Sequence, residues 1–267
     1  MSNIIQDCSD PSLPEIIDAS WFEFFKVWGS TPEAEMYEGP DIKWVNLMDP
    51  HSFNGVFSAK LTGEDRDKKI DEVVSYFRGQ GIPMRWWVGP TSKPEDLGDH
   101  LENHGLVHVG GMPGMAIELD SMNNDIPWPE GLSIKHVRDD KTAKDFFNVL
   151  CPVNGVQEYI PRFLKMERSI DPSIPRYCYI GYLEKEPVAT SILLLTLGVA
   201  GIFGVATVPE ARGRGLGTAI SLHALREARD IGYKVSVLQS SKMGYRIYQR
   251  LGFEDYCRLE TYRLRLP

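Results

Sequence analysis

The stretch GVATVPEARGRGLGTAI, residues 204–220, joins a strand, a glycine-rich turn and a helix, and it decides the fold of this chain. Residues 201–208 form a short apolar run without charge, which favours a buried strand. Pro209 cannot donate to a sheet ladder and therefore ends that strand. Alternating glycines in residues 213–217 then leave backbone N–H groups uncovered where the helix begins. Such a turn binds anions, because free amides and the positive end of the helix converge on one point.

The spacing of these glycines narrows the choice of anion. Arg212 and Arg214 add positive charge to the turn, so the expected ligand carries phosphate. A P-loop requires Gly-x-x-x-x-Gly-Lys-[Ser/Thr], and no lysine follows Gly217. A dinucleotide-binding turn requires Gly-x-Gly-x-x-Gly, and Thr218 stands where its third glycine would be. The sequence therefore fits neither of these phosphate sites.

The turn instead resembles the acetyl-CoA loop of the GCN5-related N-acetyltransferases (GNAT family). That loop has the pattern Arg/Gln-x-x-Gly-x-Gly/Ala after an apolar strand, and Arg212-x-x-Gly215-x-Gly217 matches it. By itself this hexapeptide is also compatible with a glycine-rich turn that has no chemical role.

A second motif strengthens the resemblance. The second signature of the family is a strand, a small polar residue and a helix that ends in Tyr-x-x-x-Gly-Phe. The chain has the apolar run Val235–Leu238, then Ser241, and then Tyr248-x-x-x-Gly252-Phe253. The two motifs occur in the family's order, so the C-terminal half is identified as similar to a GNAT domain.

The resemblance implies an α/β fold with a mixed sheet, the acyl-CoA N-acyltransferase fold, with acetyl-CoA as co-substrate. It also implies that the turn binds pyrophosphate and that free backbone groups of the preceding strand hold the pantetheine arm. By resemblance the Val208 N–H would also face the developing oxyanion. The residues implied to bind the cofactor are Ala206, Val208, Arg212, Gly213, Arg214, Gly215, Leu216, Gly217, Thr218 and Ser241.

Tyr248 is the residue that the resemblance assigns as general acid. A phenol beside the sulfur can protonate the thiolate as it leaves, and the family has a tyrosine at this motif position. Helical spacing alone favours a different interpretation, in which Tyr245, Tyr248 and Leu251 form one packed helix face. Ser241 stands where many members have an asparagine near the pantetheine, and a hydroxyl can serve part of that role.

The general base is missing from its usual place. Many members have a glutamate on the strand before the loop, but residues 200–208 contain no carboxylate. Deprotonation must therefore use another residue, a water chain or an amine that is already neutral. Glu158 and Glu167 lie on a predicted helix that lines the substrate in relatives, although either is more often a solvated helix charge.

The N-terminal half repeats the predicted order of strands and helices of the C-terminal half. Leu101-x-x-x-Gly105-Leu106 takes the place of the tyrosine motif, and residues 62–69 replace the phosphate loop. We therefore predict tandem GNAT-like domains: a degenerate copy at residues 1–127 and a catalytic domain at residues 128–267. The turn-rich segment 123–131 is the predicted linker, and the aromatic-rich segment 21–28 is interpreted as a packing helix.

Charge is distributed unevenly over the two halves. Residues 1–130 carry 9 Lys and Arg against 23 Asp and Glu, a net charge of −14, whereas residues 131–267 carry 20 against 14, a net charge of +6. The basic half contains the phosphate turn, where a multiply charged anion would be steered. The acidic half argues against a nucleic-acid partner. An acidic wall would suit a cationic amine, although a solvated acidic surface is the ordinary explanation.

Composition is that of a globular protein, at 42% hydrophobic and 25% charged residues. No apolar stretch has the length of a membrane span, and the N-terminus lacks the pattern of a signal peptide. The four cysteines are far apart, which predicts neither a zinc site nor a disulfide framework. His100, His104 and His108 do not have zincin spacing, so we expect no metal. These features favour a cytoplasmic protein, and they leave a homodimer open.

The sequence thus predicts an acetyl-CoA-dependent N-acetyltransferase that acts on a primary amine of a small molecule. Two alternatives stay open. The first is acetylation of a protein N-terminus or lysine, for which a long open groove would be the structural sign. The second is a non-catalytic acyl-CoA sensor, which the missing strand glutamate permits.

Overall fold

The computed structural model of the 267-residue chain describes residues 4–48 and 54–266. Strands fill the following ranges: β1 Glu35–Glu38, β2 Ile42–Asn46, β3 Gly55–Ala59, β4 Arg85–Val88, β5 Leu106–Glu118, β6 Leu132–His136, β7 Arg176–Leu183, β8 Glu186–Thr196, β9 Val199–Thr207, β10 Val235–Gln239 and β11 Glu254–Leu264. The helices are α1 Leu13–Gly29, α2 Arg66–Gly79, α3 Leu97–Asn103, α4 Asp140–Val153, α5 Ile160–Ser169, α6 Leu216–Ile231 and α7 Tyr245–Leu251. Short 3-10 helices occupy Gln157–Tyr159 and Pro209–Ala211. None of the helices in these described ranges is long and apolar enough to cross a membrane.

The strands form one mixed sheet in the order β1-β2-β3-β4-β11-β5-β10-β9-β8-β7-β6. Two neighbouring pairs are parallel, β3 with β4 and β9 with β10. Each of these pairs is connected by a helix, α2 in the first case and α6 in the second. This mixed α/β architecture confirms the fold class predicted from the sequence.

The two halves of the chain exchange their last strands. β11, at the C-terminal end, pairs with β4 of the N-terminal half, and β5 pairs with β10 of the C-terminal half. β5 and β11 also pair with each other along most of their length. Neither half completes its part of the sheet by itself. The division into domains at residues 127 and 128 stays a prediction.

Apolar side chains alternate along β8 and serve two cores on opposite faces of the sheet. Leu193 and Leu195 face the core beneath α6 and α7, whereas Ile192 and Leu194 face the core shared by α1, α4 and α5. A third core lies beneath α2 and α3. The second of these cores adjoins the cavity described below.

Candidate active site

The glycine-rich turn has the backbone geometry that its sequence predicts. Gly213 and Gly215 adopt φ values of +78° and +77°, in the left-handed region that favours glycine. Gly215 is the N-cap of α6, and no side chain caps this helix end. Residues 212–215 are exposed. The amides at the start of α6 therefore have no side-chain partner and face an accessible turn.

The space above the turn is open. A Cβ atom at Gly213 would meet nothing within 4 Å, and one at Gly215 would lie 3.7 Å from Pro129 Cγ. Leu216 and Thr218 are buried, so only their backbone amides can contribute to an anion site. Gly217 is buried as well, where a Cβ would touch Ile247 and Thr207. The turn can accept a phosphate group without side-chain movement at its two exposed glycines.

β9 and β10 separate beyond their first residues. They pair in parallel at Ala200 with Ser236 and at Gly201 with Val237. β9 continues to Thr207 while paired only with β8 on its other side, and β10 continues beside β5. The edge of β9 that faces β10 is therefore without a sheet partner from residue 202 onward. This gap leads directly to the glycine-rich turn.

The register of β9 determines which of its backbone groups face the gap, whereas the pantetheine contacts expected of Ala206 and Val208 stay a prediction. The Val208 N–H donates to the Val188 carbonyl at 3.0 Å, and Ala206 is paired with Thr190. Because backbone groups alternate in direction along a strand, Ala206 and Val208 are directed toward β8. Thr207 is directed toward the gap, and its carbonyl accepts a hydrogen bond from Arg212 Nε at 3.2 Å. In this conformation the Val208 N–H is thus not available to an oxyanion.

Val205 joins Thr207 on the gap side by the same alternation. A bulge precedes it, since the pairing with β8 shifts register between Thr190 and Ile192. Gly204 lies in this bulge with a φ of +55°, and its carbonyl accepts a hydrogen bond from Thr190 Oγ1 at 2.8 Å. The bulge is what directs Val205 and Thr207, rather than Ala206 and Val208, into the gap.

Tyr248 lies near the gap, on α7. Its side chain is 8% exposed and forms part of the core beneath α6, where it packs against Phe253. Burial raises the pKa of the Tyr248 hydroxyl, which shares a hydrogen bond with Ser221 of α6. A phenol with a raised pKa remains protonated at neutral pH, as a general acid requires. Tyr245 is a turn away, and its hydroxyl donates to Asp255 at 2.9 Å.

Ser241 is exposed at the end of β10. Its Oγ accepts a hydrogen bond from the Gly244 N–H at 3.1 Å, which anchors the segment that leads into α7. Ser241 and Tyr248 both line a cavity of about 340 Å³. The structure therefore brings these two residues together with β9, at one end of the gap.

The cavity extends from the gap into the core of α1, α4 and α5. Its remaining lining residues are Trp21, Phe24, Phe25, Trp28, Leu47, Phe147, Leu150, Cys151, Val153, Asn154, Val156, Phe163, Ile192, Ile202, Phe203, Gly204, Val205, Gln239 and Met243. Phe24 of α1 stacks on Phe203 of β9, with ring centroids 4.3 Å apart. Residues of the N-terminal half therefore form one wall of the cavity.

Sequence reasoning missed this wall. It interpreted residues 21–28 as packing, and the structure shows that Trp21, Phe24 and Trp28 also line the cavity. Their spacing of three and four residues does predict a shared helix face. The sequence carries no signal for which part of the sheet that face would meet, because the contact is with β9 and β10, far along the chain.

The two glutamates considered as bases have different surroundings. Glu167 Oε1 lies 2.6 Å from Arg176 Nη2 in an ion pair whose side chains are 21% and 9% exposed. Arg176 also packs over the ring of Trp28. Glu167 is therefore held in an ion pair with a buried cation, away from the gap. Glu158 is exposed in the 3-10 helix Gln157–Tyr159. Neither glutamate lines the cavity.

Comparison with known proteins agrees with this geometry. The profile of the acetyltransferase (GNAT) domain matches residues 187–255, which span β8 to α7 and include the turn, the gap and Tyr248. A sequence comparison with curated proteins finds no significant match.

Solved structures with this fold cover nearly the whole chain. A GCN5-related N-acetyltransferase from Kribbella flavida is 17% identical, with a TM-score of 0.67 over 94% of this chain and 95% of that one. Another from Sphaerobacter thermophilus is 16% identical, with a TM-score of 0.66 over 98% and 94%. A tandem GNAT protein from the clavulanic acid biosynthesis pathway is 13% identical, with a TM-score of 0.61 over 98% and 97%. At these identities the likeness establishes the fold.

The fold and the site together define the class of acyl-CoA N-acyltransferases. The open glycine turn at the start of α6 and the parted strands β9 and β10 are its structural marks here. The match to an acetyltransferase (GNAT) domain lies in the same segment, so these features together support an N-acetyltransferase with the fold of the GCN5-related enzymes.

Proposed function

We propose that this enzyme transfers the acetyl group of acetyl-CoA to a primary amine of a small molecule. One observation carries the proposal: β9 leads into the open anion turn at one end, and its residues Phe203, Gly204 and Val205 line the cavity. A phosphate-bearing carrier held at the turn would reach along the gap to this cavity. A carrier and an acceptor can therefore meet beside a single strand.

The residues at the turn and gap fit a carrier of this kind. The amides of residues 213–218 would bind pyrophosphate, with Arg212 and Arg214 adding positive charge. Backbone groups of Val205 and Thr207 would hold the pantetheine arm, in place of those of Ala206 and Val208. Acetyl-CoA supplies the acetyl group as a thioester, which an amine can attack.

Tyr248 is the proposed general acid. In the transfer a C–N bond forms and the C–S bond breaks, so the amine nitrogen loses one proton and the sulfur gains one. The Tyr248 hydroxyl donates its proton to the departing sulfur, and the proton released by the amine restores it. The Tyr248 hydroxyl is protonated at neutral pH, so it has a proton to give when the C–S bond breaks.

We infer that each chain has one acetyl-CoA site, in its C-terminal half. In the N-terminal half, the position that corresponds to the gap is filled by backbone. Lys93 forms an isolated parallel β-bridge with Lys60, just beyond the end of β3. The bridge has two backbone hydrogen bonds: the Leu61 N–H donates to the Lys93 carbonyl at 2.9 Å, and the Lys93 N–H donates to the Ala59 carbonyl at 2.9 Å. No open strand edge remains at this point among the described residues. This supports a degenerate N-terminal copy.

A small-molecule acceptor is favoured over a protein substrate by the shape of the site. α1, α4 and α5 surround the cavity, whereas a peptide acceptor would need a long open groove. An acyl-CoA sensor is the second alternative, and the lack of a carboxylate on β9 is the observation behind it. A cytoplasmic location and a homodimer remain predictions.

Two measurements separate these functions. Calorimetry with coenzyme A tests the cofactor site, and thiol release with acetyl-CoA and a panel of amines tests turnover. We expect both to be positive. Tight cofactor binding without turnover of any amine would favour the sensor, and transfer to peptides but not to small amines would favour the protein acetyltransferase. Mass spectrometry of ligand that co-purifies with the protein would identify the acyl carrier directly.

A further inference from the structure

The lining of the cavity is neutral and largely aromatic. None of its described lining residues carries a charged side chain, and the polar ones are Asn154, Gln239, Ser241 and Tyr248. Seven aromatic residues besides Tyr248 contribute to the wall: Trp21, Phe24, Phe25, Trp28, Phe147 and Phe163 from the helices, and Phe203 from β9. A ligand that fills this space must therefore be mostly apolar.

Gln239 lines this apolar cavity and has a side-chain oxygen that can accept a hydrogen bond. Its Nε2 donates to the Ile17 carbonyl at 2.6 Å and to Ser20 Oγ at 3.2 Å, which determines which end of the amide is nitrogen. Its Oε1 is buried and has no hydrogen-bond partner among the described residues. A buried acceptor without a partner costs stability. Gln239 lines the cavity, so a small movement of its side chain on ligand binding would bring Oε1 to a donor from the ligand.

We propose that the acceptor substrate is a primary amine on an aromatic or aliphatic body without a second charged group, and that Gln239 Oε1 accepts a hydrogen bond from the amine nitrogen. This rests on the proposed function. Gln239 ends β10, which borders the gap, so an amine bound there lies beside the strand that would hold the thioester arm. The apolar body would occupy the space between α1 and α4.

The neutral lining of the cavity argues against amines that carry additional charged groups. A polyamine would bring several cations to a wall that offers no described carboxylate, and an amino acid would bring a carboxylate to a wall with no described cation. An amino sugar would bring many hydroxyl groups to a wall that is mostly apolar. Burial of an unpaired charge in such surroundings is strongly unfavourable. This neutral cavity also replaces the acidic wall that uneven charge along the sequence suggested for a cationic substrate.

The neutral, apolar cavity also explains why β9 needs no carboxylate as a general base. Desolvation disfavours a charged ammonium and so lowers the pKa of an amine that enters the cavity. The amine would then bind in its neutral, nucleophilic form, with a lone pair for the thioester carbon and an N–H for Gln239. A strong general base is unnecessary, because the ammonium proton leaves to water before binding.

The test uses the full chain and four amines: phenylethylamine and hexylamine as apolar monoamines, putrescine as a diamine, and glycine as an amino acid. We expect kcat/KM to be at least about tenfold higher for the apolar pair, equivalent to about 1.4 kcal/mol of transition-state binding. Phenylethylamine should also change the tryptophan fluorescence of the protein without cofactor, since Trp21 and Trp28 line the cavity.

A matched pair of variants tests Gln239. Gln239→Met keeps the size of the side chain and removes the acceptor, whereas Gln249→Met makes the same change at an exposed position on α7. Gln239→Met should raise KM for phenylethylamine about tenfold and leave the affinity for coenzyme A unchanged. Gln249→Met should change neither. A melting curve for each variant shows whether the fold is kept, and the ratio of kcat/KM between hexylamine and putrescine is independent of the folded fraction.

The outcomes distinguish the two proposals. Preference for putrescine or glycine would overturn the apolar substrate and leave amine acetylation intact. An unchanged KM in Gln239→Met would overturn the role of Gln239 alone. Coenzyme A binding with no turnover of any amine and no fluorescence response would overturn both the proposed function and this inference.

Discussion

The side-chain amide of Gln239 donates to the carbonyl oxygen of Ile17 at 2.6 Å and so joins β10 of the C-terminal half to α1 of the N-terminal half. A second connection runs through Lys165 of α5, whose Nζ lies 2.9 Å from Glu33 Oε1. The N-terminal half is thus tied to the C-terminal half at α1 itself and at Glu33, which follows α1. This explains how a half without an acetyl-CoA turn of its own contributes to the active site.

The glycine turn gives the first prediction. In Gly215→Ala, a Cβ atom is forced into the left-handed region at the N-terminal end of α6, which should weaken coenzyme A binding about tenfold. Gly232→Ala is the matched control, because Gly232 has the same kind of conformation at the other end of α6. Both variants should lose about 1–2 kcal/mol of unfolding free energy. Calorimetry with coenzyme A measures the difference, and equal affinity in the two variants would contradict an anion site at Gly215.

Tyr248→Phe tests the proton donor. Removal of the hydroxyl should lower kcat at least about tenfold, since a positioned general acid commonly contributes more than that. Affinity for coenzyme A should stay the same. Tyr245→Phe makes the same change one turn earlier on α7, where the hydroxyl donates to Asp255, and should leave kcat unchanged. Steady-state thiol release distinguishes the two, and equal kcat values would remove Tyr248 from its proposed role.

Local signals in the sequence were sufficient for the turn and several elements. The glycines of the turn predicted where α6 begins, and the structure has Gly215 as its N-cap. The start of α4 is another local feature, where the Asp139 side chain accepts from the Thr142 N–H at 2.7 Å in a capping box. Such features depend on a few adjacent residues, so a single sequence displays them.

Features that depend on distant partners could not be predicted in this way. The position of β11 between β4 and β5 is set by pairing across the whole chain. The direction of Thr207 into the gap depends on register with β8 and on the bulge at Gly204. The strand β1 was not predicted, because Glu35–Glu38 is mostly exposed and lacks alternating apolar residues. The cavity wall that α1 forms also depends on residues that are distant in the sequence.

Arg214 should attract the cofactor by charge. It is exposed beside Gly215, so Arg214→Ala should lower the affinity for coenzyme A several-fold at low ionic strength. The loss should shrink as salt is added, because exposed charges are screened over about 10 Å at 0.1 M salt. Arg229→Ala changes the net charge equally at the far end of α6 and serves as control. A loss for Arg214→Ala that is independent of salt would argue for a structural role instead.

Asp18 gives a prediction about pH. This carboxylate is 2% exposed, accepts from the Thr91 N–H at 3.0 Å, and has a pKa that burial raises above 3.8. The native state therefore holds the proton more tightly than the unfolded state, so the contribution of Asp18 to stability is full below that value and declines as pH rises through its native pKa. Asp18→Asn cannot ionise. Its unfolding free energy relative to the parent protein should increase as pH rises from about 4 to 7.

Asp10→Asn should show the opposite pH dependence of stability and serves as the comparison. Hydrogen bonds from Ser12 lower the pKa of the half-buried Asp10 carboxyl, so its contribution to stability is present above 3.8 and is lost as pH falls. Asp10→Asn should therefore lose stability at neutral pH and approach the parent protein in acid. Urea unfolding of both variants and the parent at several pH values gives the unfolding free energy of each variant relative to the parent. If Asp18→Asn followed the parent at a constant offset, Asp18 would have the same pKa in the folded and unfolded chain, and its burial beneath Thr91 would carry no electrostatic cost.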